Sequence, residues 1–158
     1  MQPAFLDKLK AILGEQQLLT DPAECPTYGY DNNTLQGQPL AVALPGSHDQ
    51  VAAIVRACYA HQVHVLARGQ GTGTTGATAP LRGGIVVALE KLRGRLTIDP
   101  ANRLAIVSAG FTNQELQKAA AAAGFFWAPD PTSAAVSTIG GNLAYNSAGP
   151  RAVKYGTP

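Results

Sequence analysis

Arg68-Gly69-Gln70-Gly71-Thr72-Gly73-Thr74-Thr75-Gly76 follows directly on Val63–Ala67, an apolar run that reads as a β-strand. Glycine at this density lets the backbone take φ > 0 and approach a ligand closely. The N–H groups of such a loop can converge on an anion. Threonine hydroxyls add donors, so a phosphate or pyrophosphate is the natural guest. Gly71-x-Gly73-x-x-Gly76 matches the dinucleotide fingerprint, and Glu90 stands 19 residues past Gly71 at a strand end. That fingerprint works only where it opens a helix whose N-terminus faces the pyrophosphate. Only eight residues separate Gly76 from the next apolar run at Ile85, and they include Pro80, Gly83 and Gly84. No crossover helix fits there, and without Gly-Lys-Ser/Thr the loop is not a Walker A motif. The run therefore predicts a loop that cradles phosphate with its own backbone. The competing reading is a glycine-rich surface turn, in which Arg68 and the threonines would have no task.

The rest of the chain suits one domain of ordinary size. Of its 158 residues 46% are hydrophobic and 14% charged, enough for a core and too apolar for disorder. With 17 glycines and 11 prolines the chain is too loop-rich for a helical bundle. A net charge of +2, with Lys and Arg scattered, argues against a nucleic-acid partner. Cys25 and Cys58 lie outside any CxxC or Cys/His pattern. No zinc site or disulfide scaffold is expected, and free thiols in a reducing, cytoplasmic setting are. His48, His61 and His64 do not share one face and read as surface residues. The opening MQPAFLDKLK lacks an apolar h-region, so no signal peptide is expected. No window approaches the ~18 apolar residues of a transmembrane segment.

Residues 1–39 read as an N-terminal helix and an irregular arm. Phe5, Leu6, Leu9, Ile12 and Leu13 share a helical face, and Gly14 is placed to end the helix. From Leu19 to Pro39 the chain is irregular, includes Asp31-Asn32-Asn33, and must run over a surface. The main domain covers 40–158. A strand at Leu40–Leu44, a helix opened by Ser47 with Gln50, and the strand Val63–Ala67 form a βαβ unit with parallel strands. Val51, Ile54, Val55 and Cys58 are the expected apolar face of its helix. Ile85–Leu89 is a further buried strand, and Leu96–Asp99 pairs with Leu104–Ser108 in an antiparallel hairpin. Thr112 and Glu115 form a capping box, Leu116 begins a buried face, and Gly124 stops that helix. Residues 128–158 are rich in Gly, Pro, Ser, Thr and Asn and are expected to add little core.

Within that last stretch lies a second polar, glycine-rich segment. Pro129-Asp130-Pro131 is stiff, and Ser137-Thr138-Ile139-Gly140-Gly141-Asn142 with Ala144 and Asn146 offers close backbone approach and paired amides.

The joint occurrence of Arg68–Gly73, Pro129-Asp130-Pro131 and Thr138–Asn142, preceded by Pro45-Gly46-Ser47 with Val51 and Ile54, resembles the FAD-linked oxidases of the vanillyl-alcohol-oxidase/PCMH type. Within them it is most similar to the branch of the glycolate oxidase GlcD subunit and D-lactate dehydrogenase. The resemblance runs from about Leu40 to Gly156. It implies an α+β, PCMH-type FAD-binding domain, with a small βαβ subdomain and a mixed or antiparallel sheet subdomain. It also implies a chain truncated at its C-terminus, without the substrate domain. By resemblance, Arg68, Gly69, Gln70, Gly71, Thr72, Gly73, Gly76 and Ala77 would hold the pyrophosphate of FAD. Pro129, Asp130, Pro131, Ser137, Thr138, Gly140, Gly141, Asn142, Ala144 and Asn146 would line the flavin and its ribityl chain. Asn142, Asn146 and the backbone N–H groups of 138–142 are the expected donors to the flavin. Thr72 stands where other branches carry a flavin-linking histidine, so noncovalent FAD is expected. The implied function is the FAD-binding portion of a 2-hydroxy-acid oxidoreductase, with its catalytic residues outside this chain and a complementary chain as an expected associate. Membrane association would come only through partners. The alternatives are a nucleotide-binding remnant without redox activity and a nonfunctional fragment.

Overall fold

The structure, a computed structural model, describes residues 3–158. Two compact units divide the chain, one running through Lys91 and the other spanning Leu92–Pro158. The arm before residue 40 belongs to the first unit, so the compact division falls after the glycine-rich loop.

The first unit is a four-stranded sheet in the order β1 (Leu18–Leu19), β2 (Ala41–Ala43), β4 (Ile85–Ala88), β3 (Val65–Arg68). β2, β4 and β3 are parallel, as the βαβ pattern predicts, but β4 lies between the other two. β1 adds an antiparallel edge that the sequence pattern did not show, because two residues are too short for any periodicity. Ala41, Ala43, Ile85 and Val87 face one way and pack with Phe5, Leu9 and Leu13 of α1 (Pro3–Leu13) and with Ile54, Ala57 and Cys58 of α2 (His48–Ala60). Val42, Leu44, Val86 and Ala88 face the other way, where Cys25, Leu19 and Tyr28 from the arm cover them. Both faces of β2 and β4 are therefore buried, which explains why their sequences are continuously apolar instead of alternating.

α2 opens as expected, with the Ser47 hydroxyl accepting from the Gln50 amide at 3.2 Å. The return arm differs from a strict capping box, since the Gln50 carbonyl oxygen accepts from Gly46 N–H at 2.8 Å. Val55, expected on the apolar face, is exposed, and Ala57 takes the buried position. α1 ends at Gly14, whose φ of 81° only glycine adopts easily. All three histidines are exposed. Cys25 and Cys58 are buried free thiols, and burial pushes the Cys58 thiol up to about 11.

In the second unit β5 (Leu96–Asp99) and β6 (Leu104–Val107) form the predicted hairpin. α3 (Asn113–Ala122) carries the predicted box complete, with Glu115 N–H donating to the Thr112 hydroxyl and Thr112 N–H to the Glu115 carboxylate at 2.8 Å. The final stretch is more ordered than its composition suggests. Ile139–Tyr145 is a helix, α4, with Ile139 and Asn142 buried, and Ala152–Tyr155 is a last turn, α5.

Arg93 donates to Glu115 at 2.5 Å and, with the Thr112 amide, holds that carboxyl down at about 2 against an ordinary 4.5. An acid whose folded-state pKa is depressed stabilises the fold above its unfolded pKa. Glu115→Gln should therefore lower the urea midpoint at pH 7, and the deficit should shrink as pH falls from about 4.5 through about 2. A deficit that is the same at pH 7 and pH 2 would contradict this.

Candidate functional site

Arg68 closes β3 and turns its side chain inward. It is only 7% exposed. One terminal nitrogen donates to Tyr30 O at 2.5 Å and to the Thr78 hydroxyl at 3.2 Å, and the guanidinium lies 5.7 Å from the centre of the Tyr28 ring. Burial pulls the pKa of Arg68 down, while Tyr28, Asp31, Tyr30 and Glu90 oppose that shift. The Tyr28 hydroxyl donates to Glu90 at 3.0 Å, and burial followed by that bond pushes the phenol up to about 12. The second Glu90 oxygen accepts from Gln70 at 3.3 Å. Glu90 is thus held by its own unit and is not the ribose-binding acid of a dinucleotide fold.

The glycine-rich loop is folded over this buried cation. Gly71 has φ of 66°, and a Cβ there would overlap the Arg68 guanidinium. Gly76, at 75°, would drive a Cβ into Leu35. These two positions require glycine on both conformational and packing grounds. The carbonyl side of the loop is engaged by the arm. Gly73 O accepts from Asn32 N–H at 2.9 Å, Thr72 O from the Asn32 amide at 3.3 Å, and Thr74 O from the Asn33 amide at 2.9 Å. Among the described residues, the N–H groups of Gly71, Thr72 and Gly73 donate to no backbone acceptor. The Thr72–Gly73 peptide, its carbonyl held by Asn32, carries its positive end away from the arm, and a cation lies beneath the loop. Such a cradle suits a phosphate oxygen. Gly69 and Thr72 are half-buried and Ala77 is exposed.

The second segment is built around Asn113, which is fully buried at the start of α3. Its carbonyl oxygen accepts from Trp127 Nε1 at 2.9 Å and from the Asn142 amide at 3.2 Å, and its own amide donates to Pro129 O at 3.0 Å. Gln117 also donates to Pro129 O and to the Asp130 carboxylate, both at 3.1 Å. Asp130 pairs with Arg151 at 3.4 Å. Pro129-Asp130-Pro131 is therefore fixed from α3 and α5.

Gly140 lies in the first turn of α4 because a Cβ there would meet the Ala109 methyl at 2.7 Å. Its purpose is close helix packing. The N–H groups of Ile139, Gly140, Gly141 and Asn142 donate to Phe111 O, Ala109 O, the Thr138 hydroxyl and Thr138 O. They are not the free donors expected from the sequence, and the Asn142 amide is likewise engaged by Asn113. Asn146 caps α4 in the left-handed region at φ of 54° and is exposed, as is Ala144. One group stands apart. Ser137 is 3% exposed, and its Oγ has no hydrogen-bond partner among the described residues. A buried hydroxyl left unsatisfied costs on the order of 1–3 kcal/mol, so it marks a place for a polar ligand atom.

Sequence reading missed Asn113, Gln117, Thr78 and the arm residues Tyr30 to Asn33. Asp31-Asn32-Asn33 stood out as a polar cluster, but its partners are about 40 residues further along.

The FAD binding domain family matches residues 39–158. The chain belongs to that family. It is 38% identical over 151 residues to the glycolate oxidase subunit GlcD of Bacillus subtilis (strain 168), covering 95% of this chain and 32% of that protein. It is 40% identical over 118 residues to the D-lactate dehydrogenase of Archaeoglobus fulgidus, covering 75% and 26% respectively. A solved structure of alkyldihydroxyacetonephosphate synthase superposes with a TM-score of 0.88 at 27% identity, over 99% of this chain and 34% of the other. The chain thus spans about a third of the length of the relatives it matches and covers their FAD-binding part. FAD is the cofactor of this PCMH-type domain. The amides of Gly71–Gly73, which donate to no backbone acceptor among the described residues, and the orphaned Ser137 hydroxyl fit such a group. Among the described residues no helix is long and apolar enough to cross a membrane.

Asn113→Ala leaves the Trp127 and Asn142 donors without their acceptor and the Pro129 carbonyl with Gln117 alone. It should destabilise the second unit by about 3 kcal/mol. The chain has one tryptophan, so emission from Trp127 should shift to the red in the variant. An unchanged emission maximum and unfolding midpoint would show that this network is dispensable.

Proposed function

We propose that the chain is the FAD-holding portion of an oxidoreductase acting on a 2-hydroxy acid of the glycolate or D-lactate type. The observation that carries the cofactor role is the row of amides at Gly71, Thr72 and Gly73, which donate to no backbone acceptor among the described residues and lie above the buried Arg68. In this reading the loop from Gly69 to Ala77 binds the pyrophosphate through backbone N–H groups. Arg68 supports the loop from below. Ser137 Oγ gives or takes one hydrogen bond to the ribityl–flavin portion, beside the turn at Pro129–Pro131 and the exposed amide of Asn146. When bound, FAD supplies the hydride-accepting chemistry for oxidation of the substrate α-carbon. Thr72 lacks the imidazole nitrogen through which other branches link the flavin, so in this reading the cofactor is held noncovalently.

The substrate class rests on the relatives, GlcD and D-lactate dehydrogenase. Binding a substrate carboxylate needs a placed cation, and accepting the hydroxyl proton needs a base. Arg68 is buried, Arg93 pairs with Glu115, and Arg151 pairs with Asp130. These three arginines are engaged within the protein, and since the chain spans only about a third of the relatives' length we assign substrate binding to protein beyond these residues, on the same polypeptide or on a complementary chain. The buried free thiols suit a reducing cytoplasmic compartment.

The test is flavin retention after loading with FAD and desalting. The parent chain should show the two-band oxidised-flavin absorbance, and acid precipitation should release all flavin to the supernatant. Gln70→Ala should retain a similar amount, because its side chain serves only Glu90 at a half-open surface. Gly71→Val should retain less than about a tenth, since its Cβ displaces the loop from Arg68. Equal retention by parent and Gly71→Val would sink the backbone cradle. Binding of ADP without any flavin binding would favour a nucleotide module with no redox role.

A further inference from the structure

We infer that Asp31-Asn32-Asn33 is a positioning element that fixes the peptide planes from Thr72 to Thr75 and so turns the Gly73 N–H toward the anion site. This rests on the pyrophosphate role proposed above and adds residues that lie outside the loop itself. Each peptide plane in a flexible glycine loop can flip, exchanging an outward N–H for an outward C=O at little steric cost. A flipped plane presents a negative dipole end to a phosphate. An anion cradle therefore needs its carbonyls held on the opposite side.

The arm provides that hold at three consecutive carbonyls. Asn32 N–H takes Gly73 O, the Asn32 side-chain amide takes Thr72 O, and the Asn33 side-chain amide takes Thr74 O. With these three oxygens fixed toward the arm, the N–H groups of the same peptides, those of Gly73, Thr74 and Thr75, are directed away from it, and of these the Gly73 N–H belongs to the anion-binding row. The clamp is itself anchored. Asp31 is only 5% exposed, and its Oδ1 accepts from Asn33 N–H at 2.8 Å. Its Oδ2 accepts from the Thr78 hydroxyl at 3.5 Å, and that hydroxyl accepts from Arg68. Asn33 Oδ1 also accepts from Leu35 N–H at 3.1 Å, which orients the Asn33 amide nitrogen toward the loop. The cation beneath the loop and the donors beside it thus belong to one hydrogen-bonded assembly. Asn at both positions is the chemically required choice. Aspartate has the same shape but no N–H donor, and it would face a carbonyl with a negative charge.

The experiment compares the parent chain with Asn32→Ala/Asn33→Ala and with Asn33→Gln, which keeps an amide donor. FAD affinity is measured by calorimetry. Order at Gly73 and Thr75 is measured by 15N relaxation on the ligand-free chain. The double variant should bind FAD at least about tenfold more weakly. Its order parameters at Gly73 and Thr75 should fall from about 0.85 to below about 0.6, with the thermal midpoint nearly unchanged. Asn33→Gln should bind FAD more tightly than Asn33→Ala. Unchanged order parameters in the double variant would overturn the proposal, as would reduced order with parental FAD affinity. If the parent chain bound no FAD, the functional reading would fail. The order parameters would still decide whether the arm holds the loop.

Discussion

A guanidinium buried under a glycine loop sets the terms for the first unit. Removing a charged group from water is costly unless it is matched by hydrogen bonds. Arg68 meets that demand with Tyr30 O, the Thr78 hydroxyl and the face of Tyr28. To reach them, the arm must fold back over the sheet, and the loop after β3 must pass above the guanidinium without a Cβ at Gly71. The arm then covers the second face of β2 and β4 with Cys25, Leu19 and Tyr28. One interaction therefore couples the core, the arm and the cofactor loop.

The same logic separates binding from support. A loop that binds through backbone N–H groups leaves its side chains free for other work. Gln70 serves Glu90, and Arg68 serves the interior. In the second unit Asn113 plays the supporting part, joining α3 to α4 and to the Pro129 turn from a single buried amide. Asn142 and Arg68, both expected at the cofactor, are hydrogen-bonded within the protein. Only Ser137 keeps a buried polar atom without a partner among the described residues.

Local rules made much of this legible. The Thr112–Glu115 box, the Leu96–Ser108 hairpin and the apolar runs at β2 and β4 all follow from short-range patterns, and the structure contains them. The glycine-rich run was legible as a loop because no crossover helix fits behind it, and none stands between β3 and β4. What escaped depends on contacts distant in sequence. α4 contains Gly140-Gly141, which has poor helix propensity. It forms because Thr138 caps it and because its glycine lets the backbone approach Ala109. β1 is two residues long, and only its pairing with β2 defines it. That Arg68 is bonded within the protein was not legible either, because its acceptor Tyr30 O lies 38 residues earlier.

The central claim is that peptide N–H groups at Gly71, Thr72 and Gly73 form the anion contact. It is tested most directly by following backbone amide 1H–15N resonances while FAD, and then inorganic pyrophosphate, are titrated into the chain. The account predicts saturable downfield proton shifts at these three amides with both ligands, while the Arg68 side-chain resonance, already bonded within the protein, barely moves. Large shifts confined to side-chain resonances, with these three amides unmoved, would contradict it.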